Sequence, residues 1–152
     1  MLAVDPGARI STDRPPTRIE ADAILPGRFR AGSMGASDWK LARLLPASNE
    51  PLLEVVYVDG VGSLTITSPA SSVATHLAWD ERFFRYLWLC PIVANLGIST
   101  ALVVEPSTSK PFDLDEAVAC GRALDLRRGE RRSWWTEMEA IHLTGQGENE
   151  EA

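Results

Sequence analysis

Residues 52–67 have the sequence LLEVVYVDGVGSLTIT, and this stretch indicates the fold class. Residues 52–58 are mostly β-branched or aromatic, and residues 63–67 alternate polar with apolar side chains, so both runs predict β-strands. The two glycines between the runs can adopt the positive φ angles that short turns require. The sequence therefore predicts a β-hairpin whose loop is residues 59–62.

Further strand signals follow along the chain. Residues 73–79 (VATHLAW) alternate with a period of two, which predicts a third strand. Residues 83–90 are apolar on both faces and predict a buried strand, and residues 99–105 (STALVVE) predict another strand that ends at the next proline. The last two predicted strands are residues 122–126 and 131–143.

One short helix is predicted near residues 114–120. Asp113 can accept hydrogen bonds from the free amides of the first turn, and Glu116 stands three residues later, as in a capping box. Gly121 can adopt the left-handed conformation that ends a helix. Because only about seven residues lie between these signals, we expect a surface helix that connects strands.

The overall composition is that of a globular protein. Of 152 residues, 45% are hydrophobic and 24% are charged, and a chain of this length can bury roughly 70% of its unfolded surface as one domain. We expect a single domain over residues 1–144, with a loop-rich lead-in at residues 1–50 and the main sheets at residues 51–143. The lead-in is expected to pack on the sheets through its large apolar side chains, Ile19, Ile24, Leu25, Phe29 and Trp39. The acidic tail at residues 145–152 (GQGENEEA) is expected to be disordered.

Charge and hydropathy limit the classes of partner. The chain carries 15 basic and 21 acidic residues, a net charge of −6, whereas duplex binding requires clustered cations that neutralise phosphates. No apolar run reaches the roughly 20 residues that span a bilayer, and the first residues do not resemble a signal peptide. The sequence therefore predicts a cytoplasmic protein that binds neither nucleic acid nor membrane.

The cysteines and glycines indicate no cofactor. Cys90 and Cys120 are the two cysteines of the chain, at no metal-ligand spacing, and Cys90 lies in an apolar run that predicts a buried thiol. The sequence has no phosphate-binding glycine loop, zinc motif or nucleophile elbow. We expect neither a metal nor another cofactor.

One carboxylate stands in an unusual setting. Glu105 follows the apolar run of residues 101–104 and precedes a proline. Burial among apolar neighbours raises the pKa of a carboxyl group and suits it to act as a general base. The alternative is a glutamate at a strand end that pairs with an arginine or a loop amide.

Several segments in order resemble one family. They are 77–80 (LAWD), 83–88 (FFRYLW), 101–109 (ALVVEPSTS), 116–118 (EAV), 121–124 (GRAL) and 128–134 (RGERRSW). Roughly residues 53–140 resemble the C-terminal half of aldose 1-epimerase-like proteins, the galactose mutarotase superfamily of large β-sandwiches. The resemblance implies a mostly β, antiparallel β-sandwich of about half the usual length, with one short helix.

The resemblance also implies a sugar site. Glu105 is at the position of the glutamate that takes the proton from the anomeric hydroxyl, while a histidine protonates the ring oxygen and the ring opens. Trp88 is the aromatic residue expected to stack against the sugar, with a tryptophan of the core as the alternative. His76 is a candidate substrate-binding residue, with a packed or solvent-facing histidine as the favoured alternative.

The chain also departs from the family's pattern. The family's histidines and substrate-binding arginine lie in its N-terminal half, whereas the histidines here are His76 and His142, in different contexts. The general acid is therefore not identified. Residues 90–99 (CPIVANLGIS) are short and apolar where relatives carry a loop rich in glycine and aromatic residues.

Three functions follow as hypotheses. The first is a carbohydrate-binding, aldose 1-epimerase-like isomerase that interconverts the anomers of a monosaccharide or sugar derivative. The second is a sugar-recognition module without catalysis. The third is a structural half-domain, for which we expect a homodimer or a partner chain that completes the sandwich.

Overall fold

The computed structural model describes residues 2–3, 8–23, 52–93 and 100–143 of the chain. Nine strands and one helix lie in these ranges. They are β1 (Leu2–Ala3), β2 (Arg9–Thr12), β3 (Arg18–Ala23), β4 (Leu52–Asp59), β5 (Ser63–Thr67), β6 (Val73–Trp79), β7 (Tyr86–Val93), β8 (Thr100–Ser107), α1 (Leu114–Ala119) and β9 (Thr136–His142).

The strands form two antiparallel sheets. The five-stranded sheet has the order β1-β8-β7-β4-β3, and the four-stranded sheet has the order β2-β5-β6-β9. The sheets pack as a sandwich, which confirms the predicted mostly β fold with one short helix among the described residues. None of the described helical residues forms a segment long and apolar enough to cross a membrane.

The core lies between the sheets and follows from the period of two in each strand. In β4, Val56 and Val58 point inward and have no exposed surface, and Leu64 of β5 meets them from the other sheet. The other core side chains alternate in the same way along their strands: Ile10, Ile19, Ile66, Trp79, Leu87, Leu89 and Leu102.

The outer face of the five-stranded sheet is also apolar. Val55 and Tyr57 of β4 lie there with Trp88 of β7 in a second buried cluster. A strand that is buried on both faces must lie inside its sheet and be covered on both sides. This explains the central position of β4, between β3 and β7.

The predicted hairpin at residues 52–67 is wrong. Both strands form, but β4 pairs with β3 and β7, whereas β5 pairs with β2 and β6 in the other sheet. The turn at Gly60, with a φ of 79°, carries the chain from one sheet to the other. The reason is that β4 is apolar on both faces and β5 on only one, so the two strands fit different sheets.

Four other strand predictions differ from the structure. The strand predicted at residues 83–90 is β7 at Tyr86–Val93, because residues 81–83 form a turn. Residues 122–126 form no strand, and Leu126 is exposed there. β9 begins at Thr136 instead of residue 131. β8 continues through Pro106, which lies opposite Leu87, because β8 pairs at that point only with β7 among the described strands and an edge tolerates proline.

The helix is confirmed with its predicted ends. The Asp113 carboxylate accepts a hydrogen bond from the Glu116 amide at 2.9 Å, and Gly121 follows the helix with a φ of 67°. Ala117 is buried against the protein, while the other residues of α1 are exposed. This is the pattern of a surface helix.

Part of the lead-in is also confirmed. Ile19, which was predicted to pack on the sheets, is buried in the core. The acidic tail at residues 145–152 lies outside the described residues. The other lead-in side chains that were predicted to pack on the sheets also lie outside them: Ile24, Leu25, Phe29 and Trp39.

Candidate functional site

Two of the predicted site residues are neighbours on one surface. Trp88 of β7 lies directly opposite Glu105 of β8 in the antiparallel register, and such partners have Cβ atoms about 5 Å apart on the same face. That face is the outer face of the five-stranded sheet, where Trp88 clusters with Tyr57. The fold therefore brings an aromatic ring and a carboxylate together.

The indole of Trp88 is held firmly in place. Its Nε1 donates a hydrogen bond to the Ser109 carbonyl at 2.7 Å. Its ring meets Tyr57 edge-on with the centroids 5.6 Å apart, and it meets the tilted ring of Phe112 at 5.8 Å. Only 8% of Trp88 is exposed, so it offers a ligand a narrow strip of ring and no free N–H.

Glu105 has a different environment from the one predicted. The sequence argument required burial among apolar neighbours, whereas Glu105 is exposed. Its charge is felt by the nearby thiol of Cys90, which lies on the same face. Burial, with a further contribution from the Glu105 charge, raises the pKa of Cys90 to about 11.

His76 lies on the opposite side of the molecule. In the four-stranded sheet it is the partner of Thr65, whose Oγ1 lies 2.9 Å from His76 Nδ1. The neighbouring pair, Leu64 and Leu77, faces the core, so His76 and Thr65 face outward. The structure therefore does not bring His76 together with Glu105, and it does not supply the general acid from this residue.

Lys110, Glu20 and Asp59 form a buried ion cluster beside the outer face that carries Trp88 and Tyr57. The sequence analysis did not predict this cluster. Lys110 Nζ lies 2.8 Å from Glu20 Oε2 and 2.5 Å from Asp59 Oδ2, and it also lies 5.1 Å from the centre of the Tyr86 ring. Lys110 is 2% exposed. Nothing in a polar loop such as residues 107–111 distinguishes a buried lysine from a solvated one.

The charges of this cluster act on Glu20. Burial raises the pKa of Glu20, but the hydrogen bond and charge of Lys110, with the charges of Arg18 and Arg122, outweigh burial and hold that pKa below its usual range. The cluster ties the loop before α1 to the end of β4. The cluster therefore stabilises the fold at the border of the candidate site.

The arginine-rich turn at residues 127–132 pairs within itself. The Arg127 amide donates to Glu130 Oε2 at 2.9 Å, and Arg132 Nε donates to Glu130 Oε1 at 2.6 Å. The backbone hydrogen bond from Arg127, followed by the hydrogen bond from Arg132, lowers the pKa of Glu130. Local pairing therefore accounts for the side chains of Glu130 and Arg132, and Arg127 contributes its backbone amide.

The fold and the candidate site of the described residues define a class of protein. Within residues 2–3, 8–23, 52–93 and 100–143, no three histidine, cysteine or acidic side chains gather as metal ligands would. The class is an antiparallel β-sandwich that carries an aromatic and carboxylate surface on the outside of one sheet. Comparison of the chain with protein-family models, curated proteins and solved structures finds no match.

Proposed function

We propose that this chain is a carbohydrate-binding, aldose 1-epimerase-like protein whose ligand lies on the outer face of the five-stranded sheet. The observation that carries the proposal is the cross-strand pair of Trp88 and Glu105 on one face. The ligand is a monosaccharide or sugar derivative. Its C–H face packs against the exposed strip of the Trp88 ring, and Glu105 accepts a hydrogen bond from a hydroxyl.

The corresponding reaction is anomer interconversion. Glu105 takes the proton of the anomeric hydroxyl, the ring opens as its oxygen gains a proton, and reclosure on the other face gives the other anomer. The group that protonates the ring oxygen is not identified among the described residues. A cytoplasmic location belongs to the same proposal, since Cys90 and Cys120 are free thiols.

The test separates binding from catalysis. Glucose and galactose are titrated against tryptophan fluorescence, and mutarotation of the freshly dissolved sugars is followed by polarimetry above the uncatalysed rate. Glu105→Gln keeps the shape of the side chain and removes the proton acceptor, so it should lower the catalysed rate by ~10²–10⁴-fold while binding persists. Glu139→Gln is the matched control, because Glu139 is exposed on the other sheet.

The second candidate is a sugar-recognition module without catalysis. It is favoured by the position of His76, on the opposite side of the sandwich from Glu105. In that case both sugars or one of them quench the fluorescence, the wild-type rate equals the uncatalysed rate, and Glu105→Gln weakens binding. If neither sugar binds the wild-type protein, both candidate functions are rejected.

A further inference from the structure

The strand β9 forms an open edge of the four-stranded sheet. It is the last strand of that sheet among the described strands, and all seven of its residues are exposed. Two hydrogen bonds lie at its ends: the Asp80 amide donates to the Trp135 carbonyl at 3.1 Å, and the Leu143 amide donates to the Ser72 carbonyl at 2.7 Å. Both bonds join residues that are directly opposite in the register of β6 with β9.

These two bonds identify the backbone groups of β9 that no described strand uses. Directly opposite residues of an antiparallel pair alternate between hydrogen-bonded and non-hydrogen-bonded positions. The amides and carbonyls of Glu137, Glu139 and Ile141 therefore point toward β6. The residues in alternation with them point their N–H and C=O groups toward the open side: Thr136, Met138, Ala140 and His142. An edge of this kind is a template for one more strand.

The two faces of β9 have different chemistry. Met138 lies opposite Leu77, which packs against the core, so Met138 and Ala140 are on the inner face of the sheet. Met138 is nevertheless 71% exposed. Glu137 and Glu139 are on the outer face, and neither has an ion-pair partner among the described residues. An added strand therefore meets apolar side chains on one face and two unpaired carboxylates on the other.

Charge distinguishes a second copy of this chain from a different partner. In an antiparallel pair of two β9 strands that uses every open backbone group, Thr136 lies opposite His142 and Glu139 lies opposite its own copy. Like charges that are directly opposite destabilise a pair of strands, and each chain carries a net charge of −6. A strand with basic side chains at these positions forms ion pairs with the glutamates instead.

We propose that β9 binds an extended segment of a partner protein by strand addition, and that basic residues alternate with apolar residues in this segment. The basic side chains lie beside Glu137 and Glu139, and the apolar ones lie beside Met138 and Ala140. Backbone hydrogen bonds provide the affinity, and the alternating side chains provide the specificity. This surface goes beyond the proposed function, because Trp88 and Glu105 belong to the other sheet.

The test uses the full chain, ¹⁵N NMR and a capped heptapeptide of alternating lysine and valine, which matches the seven residues of β9. We expect saturable binding that protects the four open amides from hydrogen exchange, whereas the amides that already donate to β6 change least. The double variant Glu137→Gln, Glu139→Gln should weaken the binding about 2- to 30-fold, as expected for the loss of two exposed ion pairs.

Modified peptides are the matched controls. A heptapeptide with glutamate in place of lysine should not bind. N-methylation of the central valine blocks an N–H that faces β9, so it should weaken the binding by about tenfold. N-methylation of a neighbouring lysine blocks an N–H that faces away from β9 and should change the affinity by less than about threefold.

Three results would overturn the proposal. The first is that the lysine peptide does not bind, or protects amides outside β9. The second is that the glutamate peptide binds as tightly as the lysine peptide. The third is protection of the open amides that increases with protein concentration in the absence of peptide, which would assign the edge to a second copy of the chain.

Discussion

Cys90 and Glu105 lie on one face of the five-stranded sheet, in diagonal positions across β7 and β8. The pKa of Cys90 is raised to about 11, first by burial and then by the charge of Glu105. At pH 8 only about one molecule in a thousand carries the thiolate, which is the reactive form. The thiol is therefore a reporter of the charge at the candidate site.

We predict that Cys120, which is exposed, reacts with iodoacetamide at pH 8 before Cys90 does. Because Glu105→Gln removes the neighbouring charge, it should accelerate the alkylation of Cys90, whereas Glu139→Gln should not. Mass spectrometry of peptides from timed samples measures both rates. Equal rates at the two cysteines, or a Cys90 rate that Glu105→Gln leaves unchanged, would contradict this placement of the charge.

Lys110 provides a second test at the residue scale. Its side chain is 3% exposed, while Glu20 and Asp59 keep 28% and 20% of their side-chain surface. Lys110→Met keeps the apolar volume and removes the cation that Asp59 and Glu20 share, while Glu20 keeps its contacts with Arg18 and Arg122. Because breaking a buried pair costs about 3–5 kcal/mol and these carboxylates retain some water, we predict a loss near about 3 kcal/mol by urea unfolding.

The control for Lys110 is Arg128→Met at an exposed turn, which should change stability by less than about 0.5 kcal/mol.

The dependence of the unfolding free energy on acidic pH supplies a second test of the Lys110 cluster. The pKa of Glu20 is lower in the folded protein than its ordinary 4.5, so its stabilisation is present above pH 4.5 and is lost as the pH falls through the folded pKa. The difference between wild type and Lys110→Met should therefore shrink below pH 4.5.

At the scale of elements, the crossover from β4 to β5 depends on one glycine. Gly60 has a φ of 79°, and a Cβ placed there would lie 2.7 Å from Thr17 Oγ1. Thr17 is itself anchored, because its amide donates to the Asp59 carbonyl at 2.9 Å. The turn thus packs against the entry to β3 and cannot easily move away.

We predict that Gly60→Ala destabilises the protein more than Gly129→Ala does. Gly129 has a φ of 80° and no atom within 4 Å of the added Cβ, so both variants have the left-handed penalty of about 1–2 kcal/mol. Only Gly60→Ala adds the clash with Thr17, which we expect to cost about 1 kcal/mol or more. Equal urea midpoints for the two variants would show that the turn adapts.

At the scale of the whole molecule, one edge of the sandwich leaves apolar side chains exposed. All seven residues of β9 are exposed, and β9 is the last strand of the four-stranded sheet among the described strands. The large apolar side chains on or near this edge are Val73, Trp134, Trp135, Met138, Ile141 and Leu143. Surfaces of this kind favour association.

We therefore predict a homodimer, or a complex with a partner chain, through the β9 edge. Met138→Glu should shift the equilibrium toward the monomer, because Met138 is the most exposed large apolar side chain of that strand, whereas Phe112→Glu on the loop before α1 should not. Sedimentation velocity over a range of concentrations measures the change. A wild-type protein that stays monomeric at high concentration and unfolds cooperatively would refute the prediction.

The amino-acid sequence by itself determined the local structure. Alternation located β5 and β6, and the Asp113 and Gly121 signals located α1, because a period of two and the capping of free amides are properties of neighbouring residues. The pairing of Trp88 with Glu105 was partly predictable from the sequence, since both residues lie in predicted strands and the resemblance singled them out.

Only the tertiary structure decided which strands became partners and which side chains shared a face. The short turn at Gly60 predicted a hairpin, but burial on both faces placed β4 in the five-stranded sheet, apart from β5. The local sequence could not show this, because strand hydrogen bonds join residues that are distant in the sequence. The separation of His76 from Glu105 and the burial of Lys110 have the same origin. Both depend on which parts of the chain pack against a face of a sheet, and the pattern of neighbouring residues in the sequence does not determine this.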